Sequence, residues 1–227
     1  MQLILFDVDG TLVDARGAGA RALIKALAEV FGRPFALNGV HFAGRTDGAI
    51  VPDLILANGL PPAEIERGMA AVFQAFPRHM RSETEICPSI PCPGIPQLLE
   101  TLVGQNGICL SLLTGNLQTT ASIKLASAGI APALFRFGAF GDDSADRNAL
   151  PPIALRRAAG ILGKKPAPTA IVVGDTPADI ECAQANNLRA LAVATGPYSV
   201  AELAAHRPDH LFPDLTDLDR VLRVLVL

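Results

Sequence analysis

The sequence predicts an α/β fold in which a parallel sheet is covered by helices on both faces and a small helical domain is inserted after the first strand. Short apolar runs alternate with segments of helical periodicity, the pattern of consecutive β-α units. Roughly 100 residues separate the first apolar run from the second, which is more than a crossover helix or a structureless loop accounts for. The chain of 227 residues is 50% hydrophobic, enough for a sizeable core.

Six short apolar runs are the predicted strands. Four of them are continuously hydrophobic instead of alternating, which is typical of parallel strands that are buried on both faces. In chain order the runs are residues 3–6, 108–113, 135–140, 170–173, 189–193 and, most weakly, 210–212.

Helical segments lie between these runs. Three of them begin at a Pro, Thr or Asp and stop near a Gly or Asn, and they cover residues 119–128, 152–162 and 177–186. The last segment keeps one helical face apolar, at Leu215, Leu218, Val221, Leu222 and Leu225.

The long interval after the first run predicts a folded helical unit over residues 16–90. Near its start one helical face is apolar, at Ala20, Leu23, Leu27 and Val30. Two further helices are predicted over 50–58 and 63–80. The proline-rich segment 87–96 is the predicted connection back to the sheet.

Charge and hydropathy exclude several classes of partner. The chain has 19 Lys and Arg against 22 Asp and Glu, a formal net charge of −3, and its pI is about 5.8. Nucleic-acid binding is therefore not expected, because it depends on a basic surface. Mean hydropathy is +0.35, but no run of about 18 apolar residues could span a membrane. The first residues also lack the basic start of a signal peptide. We expect a cytoplasmic protein without a membrane partner.

Acidic and polar residues follow four of the predicted strands. Carboxyl ends of parallel strands lie at one edge of a sheet, where ligands bind beside the switch in strand order. We therefore expect the following residues to converge: Asp7 and Asp9; Thr114, Gly115 and Asn116; Arg147; and Asp175, Thr176 and Asp179.

This set of residues suits phosphoryl transfer. Carboxylate oxygens hold Mg²⁺, which neutralises charge on a phosphate. A carboxylate can itself attack phosphorus and form an aspartyl phosphate. Amides at a helix start and a basic side chain stabilise the phosphoryl oxygens.

Three segments resemble motifs of the haloacid dehalogenase (HAD) superfamily. The run Asp7-Val8-Asp9-Gly10-Thr11-Leu12 is similar to its first motif, D-x-D-G-T followed by Leu or Val. Thr114 in Leu-Leu-Thr-Gly-Asn resembles the second motif, and residues 174–179 resemble the fourth, G-D-x-x-x-D. The insert resembles the cap of the phosphoglycolate phosphatase-like branch, where residues 42–47 and Pro93-Gly94 have counterparts.

The resemblance implies a Rossmann-like catalytic core, over residues 1–15 and 91–227, and a helical cap over residues 16–90. It implies a Mg²⁺-dependent phosphatase that hydrolyses a small phosphomonoester, phosphoglycolate-like or a sugar phosphate, through an aspartyl phosphate. Asp7 would be the nucleophile and Asp9 the general acid and base.

The remaining roles follow from the same resemblance. Asp7, Asp175 and the main-chain carbonyl of Asp9 would hold the metal. Thr114, Gly115, Asn116 and Arg147 would bind the phosphate. Asp179 and Thr176 would support these groups, and Arg45 in the cap is a candidate substrate contact.

The third motif departs from the family pattern, which usually has a lysine, often followed by proline. Lys165-Pro166 matches by eye, but it follows a helix and precedes the predicted strand 170–173. That order places it at the amino end of the sheet, away from the other motifs. Arg147 follows a strand and precedes a helix, so we assign the third motif to Arg147.

Several functions compete with a phosphatase. A haloacid dehalogenase needs no second acid, so Asp9 argues against it. A phosphomutase keeps both acids and stays open, as do the substrate and the oligomeric state. A phosphate-accepting receiver module has neither a cap nor a general acid, and a non-catalytic phosphate-binding protein has no need of the complete set of acids.

Overall fold

The computed structural model describes residues 1–162 and 169–226. The strands, in chain order, are β1 (Gln2–Phe6), β2 (Val13–Asp14), β3 (Ile90–Pro91), β4 (Ile108–Leu113), β5 (Gly138–Ala139), β6 (Thr169–Gly174), β7 (Arg189–Val193) and β8 (His210–Phe212). The helices are α1 (Ala18–Phe31), α2 (Asp47–Ala57), α3 (Ala63–Ile86), α4 (Ile95–Val103), α5 (Gln118–Ser127), α6 (Leu150–Leu162), α7 (Pro177–Ala185), α8 (Val200–Ala205) and α9 (Leu218–Leu225).

A six-stranded parallel sheet is the centre of the fold. Its order is β5-β4-β1-β6-β7-β8, so β1 lies between β4 and β6 and the chain builds outward from it on both sides. The strand order therefore reverses beside β1, where ligands bind in sheets of this kind. The predicted α/β fold with a parallel sheet is confirmed.

Two apolar cores explain why the strands are continuously hydrophobic. Ile4 and Phe6 face a core that they share with α4, α5 and α9, whereas Leu3 and Leu5 face a core shared with α6, α7 and α8. Side chains alternate between the faces of a strand, so covering both faces requires apolar residues at every position.

The inserted helices have an apolar core of their own. Leu23 and Leu27 of α1, Leu54 of α2 and Phe76 of α3 are buried together in it, and Leu117 beside α5 joins them. Helices α1 to α3 lie inside the interval 16–90, while the domain bounds, 1–15 with 91–227 and 16–90, stay a prediction. Within residues 1–162 and 169–226, no helix has the combined length and hydropathy needed to cross a membrane.

The structure differs from the predicted elements in several places, among them β2 and α8, which the sequence does not predict. The third predicted strand, 135–140, is reduced to β5, although the Arg136 N–H and the Phe137 carbonyl still bond to the backbone of β4. Helix α3 continues beyond residue 80 to Ile86, since its polar last turns are held by ion pairs from Glu83 to Arg21 and Lys25. The return segment 87–96 contains β3 and the start of α4, which the prolines concealed.

Gly94 precedes α4 and generates a prediction about stability. Its φ is +84°, and a Cβ built on it would lie 2.1 Å from the backbone oxygen of Leu215. Gly94→Ala should therefore lower the free energy of unfolding by about 1–3 kcal/mol, measured by urea denaturation. Gly104→Ala, at the other end of α4, is the control, because nothing described lies within 4 Å of its Cβ position. Equal losses in both variants would contradict this account.

Candidate active site

The loop after β1 presents two aspartates at the carboxyl edge of the sheet. The Asp7 N–H still donates to Val173 at 2.9 Å, which continues the sheet pairing. The chain then turns sharply, because the Val8 carbonyl accepts from the N–H groups of Leu12 and Val13, each at 2.9 Å. Asp7 is consequently buried, whereas the side chain of Asp9 is 42% exposed at a cavity.

Asp7, Asp175 and Asp179 form a buried cluster of carboxylates. One oxygen of each lies within 4.8 Å of the others. Burial raises the pKa of Asp7 to about 6, although the Arg147 guanidinium opposes the shift. Burial, with repulsion from Asp7 and Asp179, also raises the pKa of Asp175 well above its ordinary value. Burial therefore makes it costly to ionise these carboxylates together unless positive charge lies beside them.

Arg147 is the basic side chain that contacts this cluster. It begins the 3₁₀ turn Arg147–Ala149 that follows β5, and it is buried. Its Nη2 donates to Asp179 and lies 3.4 Å from Asp7 Oδ1. The structure thus brings Arg147 to the edge where the sequence places it. Lys165, the other candidate for the third motif, lies outside the described residues.

The donor set of the cluster fits a divalent cation. Both oxygens of Asp179 are occupied, one by Arg147 and the other by the N–H and hydroxyl of Thr176 at 3.1 and 2.7 Å. Asp175 Oδ1 accepts from Thr11 at 2.8 Å, while Oδ2 has no donor among the described residues. If all three carboxylates are ionised, the positive charge of Arg147 leaves the cluster with a net charge of −2. Hard oxygen ligands with that charge suit Mg²⁺.

The end of β4 brings a third group of polar atoms to the same edge. Thr114 and Asn116 are buried, and Asn116 Nδ2 donates to Thr114 Oγ1 and to Asp9 Oδ2, each at 2.8 Å. Gly115 lines the cavity between them. The predicted phosphate-binding residues of this loop therefore lie beside the predicted acid and base.

Lys124 on α5 is a member of the site that the sequence analysis missed. Its Nζ donates to Asp9 Oδ2 and Asn116 Oδ1, both at 2.5 Å, and its side chain is 4% exposed. A signal was present in the sequence, because helical spacing places Lys124 on the same buried face as Ala121 and Leu125. A lone charged residue on an apolar helix face requires a buried partner.

The inserted helices contact the sheet domain at the start of α2. The Asp47 N–H donates to the Gly115 carbonyl at 2.7 Å, and Asp47 Oδ2 accepts from the Leu117 N–H at 2.8 Å. Thr46 donates to the Ala145 carbonyl at 2.7 Å. The backbones meet so closely that a Cβ on Gly115 would lie 2.0 Å from the Arg45 carbonyl oxygen. This contact closes one side of the cavity.

A cavity of about 470 Å³ lies between the sheet edge and the inserted helices. The insert contributes Ile50 of α2, Phe76 of α3 and Phe42 of the loop before α2 to its wall. Arg45 also lines it, but its guanidinium donates to Asp53 at 2.6 Å and to the carbonyls of His41 and Ala49. A contact of Arg45 with substrate therefore stays a prediction.

Comparisons with known proteins agree with this geometry. A HAD-hydrolase-like family model matches residues 147–218, which carry Arg147, Asp175 and Asp179. The protein named Probable phosphatase IndB of Dickeya dadantii is 31% identical over 206 residues, which cover 91% of this chain and 86% of that protein. The chain belongs to the haloacid dehalogenase-like hydrolase family. The resemblance of the three motifs is confirmed at this level.

Two further proteins are similar to this HAD-like hydrolase over nearly its whole length. Phosphoglycolate phosphatase of Aquifex aeolicus is 27% identical over 224 residues, 98% of this chain and 97% of that protein. A solved structure of a predicted phosphatase from Clostridium acetobutylicum has a TM-score of 0.71 at 19% identity and covers 99% of both chains. At that identity, the structural likeness concerns the fold alone: a Rossmann-like core with helices on both faces.

Asp47 gives the HAD-like hydrolase a testable dependence on pH. Burial raises its pKa to about 6, against opposing effects of Lys124 and the Leu117 N–H. The folded protein thus binds this proton more tightly than the unfolded chain, so ionisation lowers stability as pH rises from about 4 to about 6. Asp47→Asn should gain roughly 1–3 kcal/mol relative to the wild type between pH 4 and pH 7.5.

Urea denaturation at both pH values, in chelator, measures this difference. Asp53→Asn is the control, because Asp53 lies on the same helix with a half-exposed side chain. A stability difference between wild type and Asp47→Asn that is the same at both pH values would show that Asp47 ionises as it does in the unfolded chain.

Proposed function

We propose that this HAD-like hydrolase is a Mg²⁺-dependent phosphatase that hydrolyses a small phosphomonoester through an aspartyl phosphate on Asp7. One observation carries the proposal: Asp7 is buried beside Arg147 and two further carboxylates, while Asp9 lies next to it at the open cavity. A nucleophile, a cation for the phosphate and a proton carrier are thereby adjacent.

In the first step, a carboxylate oxygen of Asp7 attacks phosphorus. The bond from phosphorus to the substrate oxygen breaks, and that oxygen takes a proton from Asp9 as it leaves. In the second step, Asp9 accepts a proton from water while the water oxygen attacks phosphorus. The Asp7–phosphorus bond breaks, so the products are inorganic phosphate and restored Asp7, with Asp9 again protonated.

The remaining polar groups bind the phosphoryl oxygens. The Thr114 hydroxyl and the backbone N–H groups at Gly115 and Asn116 are the proposed hydrogen-bond donors, because both Nδ2 hydrogens of Asn116 already point to Thr114 and Asp9. Arg147 provides a positive charge at Asp7. Asp179 and Thr176 hold Arg147 in place through the hydrogen bonds that already connect them. Arg147 is a planar fork where most of the family has a lysine, so it can engage two oxygens together.

Asp7, Asp175 and the main-chain carbonyl of Asp9 are the proposed ligands of Mg²⁺. When bound, the ion neutralises charge on the phosphate and on the buried carboxylates. Of these groups, Asp175 is the one whose position Thr11 fixes through a hydrogen bond.

The proposed substrate is a small phosphorylated metabolite. The relatives named phosphoglycolate phosphatase favour phosphoglycolate or a similar compound. A cavity of about 470 Å³ accommodates either such an acid or a sugar phosphate. A panel of phosphorylated metabolites, assayed for released phosphate and for transferred phosphate, separates a phosphatase from a mutase.

Steady release of phosphate from p-nitrophenyl phosphate tests the activity and its metal. We expect turnover with Mg²⁺, none in EDTA, and recovery when Mg²⁺ is restored, because oxygen donors without a soft ligand prefer this ion. Turnover that is unchanged in chelator would remove the metal from the mechanism. A protein that releases no phosphate from any member of the metabolite panel would overturn the proposed function.

The two aspartates should respond differently to the same substitution. Asp7→Asn should abolish turnover, because an amide does not attack phosphorus and binds a metal poorly. Asp9→Asn should lose about 10²–10⁴ in rate on alkyl phosphates, the usual contribution of acid–base catalysis. On p-nitrophenyl phosphate the loss should be smaller, since that leaving group needs no proton.

The kcat/KM on both substrate classes measures this contrast, because it reports formation of the aspartyl phosphate and not the later hydrolysis that both classes share. Equal losses of Asp9→Asn on both would mean that Asp9 acts through its position or charge instead of its proton. Turnover by Asp7→Asn would exclude the covalent mechanism.

A further inference from the structure

Lys124 makes two of the shortest contacts in the site, and the mechanism above gives it no role. We propose that Lys124 is a positioning residue, which holds the outer oxygen of Asp9 so that the other oxygen faces the leaving group and the attacking water. This inference rests on the proposed function, because it assigns a consequence to the proton transfers of Asp9.

The exposure of Asp9 is the reason that it needs restraint. Asp7, Asp175 and Asp179 are enclosed by protein, whereas 42% of the Asp9 side chain is exposed at the cavity. A carboxylate in that position can rotate among several rotamers. Proton transfer requires the oxygen to stay within hydrogen-bond reach of the reacting atom, so rotation would slow each step.

Two donors restrain Asp9 at one oxygen. Lys124 Nζ at 2.5 Å and Asn116 Nδ2 at 2.8 Å both donate to Oδ2, and no donor among the described residues contacts Oδ1. Hydrogen bonds between ionised partners are about twice as strong as neutral ones, so the lysine contributes most of this restraint. The arrangement reserves Oδ1 for the substrate.

The surroundings of Lys124 direct its ammonium toward Asp9 and Asn116. The side chain is almost fully buried on the apolar face of α5, where leaving a charge unpaired would be costly. Its described hydrogen-bond partners are Asp9 and Asn116, and Asn116 in turn donates to Asp9. The three side chains therefore form a closed triangle, in which moving any one disturbs the other two.

Gly19 of α1 completes the enclosure from the cap side. A Cβ built on Gly19 would lie 3.2 Å from Nζ of Lys124 and 3.6 Å from Cε. Little space therefore remains between the Lys124 ammonium and the backbone of Gly19. A methyl group there would displace Nζ by a few tenths of an ångström without removing its charge.

Lys124→Met tests the inference, because methionine keeps the length of the side chain and removes its donors. With Mg²⁺ present, kcat/KM on 2-phosphoglycolate or another alkyl phosphate should fall at least tenfold more than kcat/KM on p-nitrophenyl phosphate, as for Asp9→Asn, because kcat/KM reports formation of the aspartyl phosphate and not its hydrolysis, which both substrates share. The KM of both substrates should stay within about twofold, since a positioning residue does not bind them. The double variant with Asp9→Asn should be no slower than Asp9→Asn alone, because residues that act together are not additive.

Lys25→Met is the matched control. Lys25 pairs with Glu83 on the inserted helices and does not line the cavity, so the same substitution should leave both kinetic constants unchanged. Thermal unfolding of each variant separates a loss of folded protein from a loss of rate.

Gly19→Ala provides a second variant in case Lys124→Met does not fold. Alanine suits a helix better than glycine does, so the fold should persist while Nζ is displaced. We expect a smaller loss with the same selectivity for alkyl phosphates. No selectivity in Gly19→Ala would then overturn the inference.

The outcomes distinguish this inference from the function on which it rests. If Asp9→Asn is selective and Lys124→Met loses both activities equally, raises KM or adds to Asp9→Asn, then Lys124 binds substrate or stabilises the fold and the inference is wrong. If Asp9→Asn itself shows no selectivity, the acid–base role of Asp9 fails, and the role of Lys124 falls with it.

Discussion

The Arg147 guanidinium connects the ends of three segments that would otherwise repel one another. It lies between Asp7, which follows β1, and Asp179 in the first turn of α7, after β6. Arg147 itself comes from the turn after β5. Desolvated carboxylates at this spacing are stable only with positive charge among them. The alignment of the sheet edge, the orientation of Asp7 and the attraction for a divalent cation all depend on this arrangement of charges.

Polar contacts between the start of α2 and the sheet domain also hold the loops of the site in place. Asp47 and Thr46 at the start of α2 bind backbone groups of the loops after β4 and β5. These are the loops that carry Asn116 and Arg147. The groups proposed to bind the phosphate are therefore braced from the cap side as well as from the sheet. Substrate binding and closure of the helices over the cavity are expected to influence each other through these contacts.

The sheet and the polar residues at its carboxyl edge could be predicted because their signals are local. Continuous apolar runs identify buried strands, and the residue that follows each run lies at the carboxyl edge, so Asp7, Thr114 and Asp175 were found together. Lys124 and Asp47 were not assigned roles, because their partners, Asp9 and the Leu117 N–H, are distant in the sequence. The last turns of α3 escaped prediction for a similar reason, since Glu83 is held by α1 and not by an apolar stripe of its own helix.

The small ladder between β2 and β3 has a consequence for how the helical insert is accommodated. Val13 pairs with Pro91 and Asp14 with Ile90, so the points where the chain leaves and re-enters the sheet domain are neighbours. The ladder closes a loop of about 75 residues, and the entropy of closing such a loop grows only slowly with its length. The insert therefore connects β2 and β3 in the way that a long loop connects the strands of a hairpin. Its length could change while the two strands, and the course of the chain from β1 to α4, stayed the same.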